Sequence, residues 1–66
     1  MMKSPKAILE ILRVWYAGPV PSISKINVLW EDDVIISLRW QEETGQWCQT
    51  KAIRSGKEWI LNPKRS

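Results

Sequence analysis

Few side chains in this chain are equipped for covalent or acid–base chemistry. Its 66 residues include no histidine and a single cysteine, Cys48. The commonest general base is therefore missing, and the thiol lacks the imidazole that ordinarily activates such a nucleophile. One thiol and no imidazole cannot assemble a structural zinc site, nor can a single cysteine form an internal disulfide. The carboxylates cluster at Glu31-Asp32-Asp33 and Glu42-Glu43. Both clusters fall in turns at opposite ends of the strands deduced below, too far apart to act as a paired acid and base. Glu31-Asp32-Asp33 also lacks the alternating ligands and central glycine of a calcium loop. Gly18, Gly45 and Gly56 are scattered, so no loop cradles phosphate. The chain is expected to be no enzyme, with no cofactor, no metal and no small-molecule substrate.

What remains is aromatic and cationic. There are five tryptophans, no phenylalanine, and ten Lys/Arg against seven Asp/Glu, for a net charge of +3. This mild basicity permits an anionic partner without demanding one. Tryptophan interleaved with Lys, Arg and Gln is the residue set on which single-stranded nucleic acids stack while cations follow their phosphates. The same types also dominate protein-binding hot spots. The elements that carry these residues decide how they group.

Apolar residues make up 44% and charged residues 26% of the chain, the balance of a globular domain rather than a disordered one. At this length only ~60% of the unfolded surface is buried, so dense aromatic packing or self-association must hold the single domain together. Ser4-Pro5 reads as an N-cap followed by a proline at the first helical position. Ile8, Ile11, Leu12 and Trp15 then recur at helical spacing, with Leu9 and Tyr16 widening the stripe. Gly18-Pro19 stops the helix, with the glycine expected in the cap. This predicts a helix over about 5–16.

Beyond Ser22 the apolar period becomes two. Strands are predicted over about 24–30, 34–41, 46–53 and 58–61, with a basic tail at 62–66. A three-residue loop at 43–45 would pair Trp40 with Cys48, Leu38 with Thr50 and Ile36 with Ala52. A similar loop at 31–33 would pair Trp30 with Val34, Val28 with Ile36 and Ile26 with Leu38. A two-residue Ser55-Gly56 loop would set Trp59 opposite Ala52 and Leu61 opposite Thr50. All these pairs share one apolar face. The predicted fold is α+β, a helix packed on a four-stranded antiparallel meander, because a one-sided sheet must bury that face. A small SH3- or Sm-like β-barrel with an N-terminal helix is the alternative.

Parity assigns Trp15, Trp30, Trp40 and Trp59 to the core and leaves Trp47 outside. In the same register Gln41 pairs with Trp47, Arg39 with Gln49 and Ser37 with Lys51. The chain is therefore read as a small binding module. Trp47 would stack bases, Arg39, Lys51 and Arg54 would meet phosphate, and Gln41 and Gln49 would flank them. The alternative is a protein-interaction or inhibitory module, with a homodimer as one form of it, anchored by Trp47, Ile35, Ile53 and Leu29. No run approaches the ~20 apolar residues of a membrane span, and no signal peptide is legible. With one unpaired thiol, a cytoplasmic location is expected.

Overall fold

The computed structural model describes residues 5–64. Helix α1 spans Pro5–Tyr16, and strands β1 to β4 span Ile23–Glu31, Ile35–Glu42, Trp47–Ser55 and Glu58–Asn62. Ser4, expected as the N-cap, and Arg65, in the expected basic tail, lie outside the described residues. The strands form one antiparallel sheet in the order β1-β2-β3-β4. The sheet is open, so the barrel alternative is not realised.

The helix stops by hydrogen bonds that match the expected motif one residue early. The Gly18 amide donates to the Arg13 carbonyl at 3.1 Å and the Ala17 amide to the Val14 carbonyl at 3.3 Å. These are the two bonds of a Schellman cap. The left-handed residue is Ala17, with φ 55, and not the expected Gly18.

The β2–β3 hairpin follows the predicted register throughout, from Ile36–Ala52 to Gln41–Trp47. Its loop closes as predicted: Gln46 and Glu42 pair through a 2.9 Å bond, and Gly45 holds φ 99. The other two hairpins slip by an even number of residues. Asp32 Oδ1 accepts from the Val34 and Ile35 amides, both at 2.8 Å. This Asx-type turn draws Val34 into the loop, where it is exposed. Val28 consequently pairs with Leu38 and Ile26 with Trp40, not with Ile36 and Leu38. The last loop centres on Gly56 and Lys57, with Gly56 at φ 63. Ala52 therefore faces Leu61, and Trp59 faces Arg54 rather than Ala52. An even slip preserves the face, which is why the apolar side survived both errors.

One displacement is odd. The register shifts between Val28 and Trp30, a bulge at Leu29, and Trp30 pairs with Ser37 instead of Val34. The extra residue turns Trp30 to the other face. It is 61% exposed and does not belong to the core to which parity assigned it.

The buried face holds Ile36, Leu38, Trp40, Ala52, Trp59 and Leu61 under Ile11 and Leu12 of α1. Trp40 is fully buried. Trp15 meets it edge-on at 5.1 Å between ring centroids. Removing a tryptophan of this size from water contributes roughly 4–6 kcal/mol as an upper bound. The helix packs towards β4. It leaves an apolar groove of about 1090 Å³ between Pro5, Ile8, Leu9 and Leu12 on one side and β1 on the other. Ile26, predicted to be covered, stays 42% exposed for that reason.

Candidate nucleic-acid interface

The face of the sheet turned away from the helix is built in rows. Lys25, Gln41 and Trp47 form the first row across β1, β2 and β3. Asn27, Arg39 and Gln49 form the second. Trp30, Ser37 and Lys51 form the third. The result is a three-by-three field with tryptophans at two diagonal corners, lysines at the other two and arginine at the centre. The remaining four positions are amides and a hydroxyl. None of the nine is a carboxylate or an aliphatic residue.

Trp47 is 39% exposed, and the Arg39 guanidinium lies 4.3 Å over its ring. This cation–π contact orders both side chains and covers one face of the indole with a second flat, stackable group. Gln41 donates through Nε2 to the Gly45 carbonyl at 3.2 Å, which ties the first row to the β2–β3 loop. Trp30 donates through Nε1 to Asp32 Oδ2 at 3.3 Å. Standing on an edge strand, Trp30 also borders the groove beneath the helix.

The structure thus brings Trp47, Arg39, Lys51, Gln41 and Gln49 together as expected. It separates Arg54 from them. Arg54 pairs with Trp59, and its guanidinium lies 4.8 Å over that ring. Trp59 belongs to the helix side, so Arg54 does too. Its even number in β3 already carried this information; grouping it by charge obscured it. The anchors of the protein-interface alternative do not converge either. Ile35 pairs with Ile53, and Ile60 lies beside them, but Trp47 stands at the opposite end of β3. Leu29 is exposed on the β1 bulge, nearer the isoleucines than Trp47. Sequence reasoning missed Trp30 as a surface residue because a bulge leaves no mark on apolar alternation.

Two carboxylates, Glu42 and Glu10, are engaged on the helix side. Glu42, on the helix side, accepts from the Tyr16 hydroxyl, which itself accepts from Trp40 Nε1 at 2.9 Å. Burial, reinforced by the bond to Glu42, pushes the Tyr16 phenol up to about 12. Cys48 Sγ lies 3.9 Å from the same Glu42 carboxylate, within the partly buried surround of the core. Glu10 accepts from Trp59 Nε1 at 3.3 Å. The nine-residue field opposite carries no carboxylate of its own, and Asp32 meets it only at the Trp30 corner. Among the described residues no group of histidine, cysteine and carboxylate side chains is arranged to hold a metal ion. No helix is long and apolar enough to cross a membrane. No family model, curated protein or solved structure matches this chain.

Proposed function

We propose that this protein is a small non-enzymatic module that binds single-stranded nucleic acid on the outer face of its sheet. The observation that carries the reading is the composition of the nine-residue field: two exposed tryptophans, three cations, four neutral hydrogen-bonding groups and no carboxylate. Trp47 and the Arg39 plane over it present a surface on which bases stack regardless of sequence. Lys25 and Lys51 stand on either side of Arg39, where a phosphate backbone would run. Asn27 and Gln49 offer donors and acceptors to base edges. Paired bases in a duplex hide the faces this surface would take, so single strands are preferred. The lone thiol beside the core fits a reducing compartment such as the cytoplasm.

Titration of labelled single-stranded and duplex oligonucleotides at two salt concentrations tests this. Three phosphate contacts predict a slope of about −2 in log affinity against log salt for a single strand. Lys51→Gln should make that slope shallower by about 0.7. No binding of single strands at low salt would sink the reading.

One observation favours a protein partner instead. Ile35, Ile53 and Ile60 form an apolar row beyond the field, with Ile60 half exposed. Such a patch suits a protein contact. Light scattering on the purified chain checks its simplest form, a homodimer; a monomer at millimolar concentration excludes it.

A further inference from the structure

The bulge at Leu29 gives the outer face a second indole, and we infer that Trp30 is a second stacking platform. The ligand is then one single strand lying diagonally from Trp47 to Trp30 across Arg39. This rests on the nucleic-acid reading above and adds a path and a minimum length to it. Trp47 and Trp30 are four residues apart along the sheet and two strands apart across it. At about 3.3 Å per residue and about 4.8 Å per strand, their Cα atoms are about 16 Å apart. One base cannot touch both. At the stacked rise of about 3.4 Å per nucleotide, about five steps and therefore about six nucleotides bridge them, and fewer do so when the strand is extended.

The other two corners support the same diagonal. Lys25 and Lys51 flank the line on opposite sides, so a backbone along it meets a cation whichever way its phosphates turn. Arg39 is rooted in the middle row and reaches along the line to Trp47, over whose ring its guanidinium is already stacked. Trp30 is also held rather than loose: its Nε1 bond to Asp32 fastens the ring to a turn that Asp32 itself organises. A ring fixed in advance loses little freedom when a base lands on it. The indole is the most exposed of the large apolar side chains in the described chain.

The test is a length series of oligothymidylates from two to ten nucleotides, read by tryptophan fluorescence at low salt. It is run on the full chain and on Trp30→Ala, Trp30→Phe and Trp47→Ala. For the unaltered protein, affinity should step up by about 5- to 150-fold as length passes the bridging value, the worth of one further stacked base. Trp30→Ala should abolish the step while leaving the shortest binding oligomers unaffected, and Trp30→Phe should restore most of it. Circular dichroism must show Trp30→Ala folded, as its exposure predicts. An identical step in the unaltered protein and Trp30→Ala overturns the inference but leaves the stacking role of Trp47 standing. So does the lack of any step in the unaltered protein. Failure of every length to bind overturns the nucleic-acid reading and this one with it. A dimer that Trp30→Ala dissociates would reassign the residue to a contact between copies.

Discussion

Trp40 and Trp47 stand on neighbouring strands of one sheet, a row apart, and share almost nothing else. Trp40 is fully buried against Trp15, with its Nε1 committed to Tyr16. Trp47 is open on the other face, and its ring is covered by a guanidinium. The two faces differ in the same way. The helix side pairs its polar groups inward: Thr50, buried among apolar residues, donates to the Pro63 carbonyl at 2.8 Å, and Glu10 and Glu42 serve indole and phenol groups. The outer side keeps its amides and cations in solvent. Period-two alternation sorted identical residue types into a buried set and an exposed set, and the partner of each ring shows which set it joined.

The largest break in this contrast is Trp40→Ala. It should cost about 3–5 kcal/mol, a large share of what a domain this small possesses. Urea denaturation followed by circular dichroism would show a chain at or beyond the edge of unfolding. If Trp40→Ala and Trp47→Ala cost the same, the two faces are not distinct.

Tyr16→Phe comes next. It strips Trp40 Nε1 of its acceptor and Glu42 of a donor, at about 1–3 kcal/mol for the partners left unmet. It also predicts a pH signature. The phenol titrates at about 12 in the folded chain against an ordinary 10.0. Its neutral form is therefore favoured by folding. That contribution is complete below pH 10 and is lost as pH climbs from 10 to 12. The unaltered protein should weaken across this window, and Tyr16→Phe should lack the corresponding component. Equal alkaline profiles would dissociate Tyr16 from the stability of the covered face.

Ala17→Gly acts in the opposite direction. A left-handed alanine carries roughly 1–2 kcal/mol of strain, partly offset by the extra freedom of glycine in the unfolded chain. A net gain of about 1 kcal/mol in thermal or urea unfolding is expected. The smallest effect is that of Trp47→Ala, about 1 kcal/mol or less, the scale of a surface cation–π contact. A loss of several kcal/mol there would place Trp47 in the core and undo the comparison.

These contrasts were legible in the sequence to different depths. The β2–β3 hairpin was read to the residue, because Gly45 fixes its loop and a fixed loop fixes register. The helix was read to its ends, although the cap shifted from Gly18 to Ala17. The first and last hairpins were read to the face but not the register. There the loop was chosen by local hydrogen bonding, as when the Asp32 carboxylate captured two amides. Within the site, Trp47, Arg39 and Lys51 followed from parity alone. Trp30 did not, since nothing in the letters Val28-Leu29-Trp30 distinguishes a regular strand from a bulged one. Its placement depends on how β1 must bend to meet β2.

The bulge makes the role of Trp30 a matter of counting. Were β1 to pair with β2 without it, Leu29 would take the outer row and the indole would turn to the side where the helix leaves its groove open. The same ring would then serve as filler for the gap beside Leu9 and Leu12. Looping out one residue is thus a toggle between a fuller covered face and a second indole on the outer one. Deleting Leu29 would keep the indole outside, because Trp30 would then follow Val28 directly and still meet Ser37.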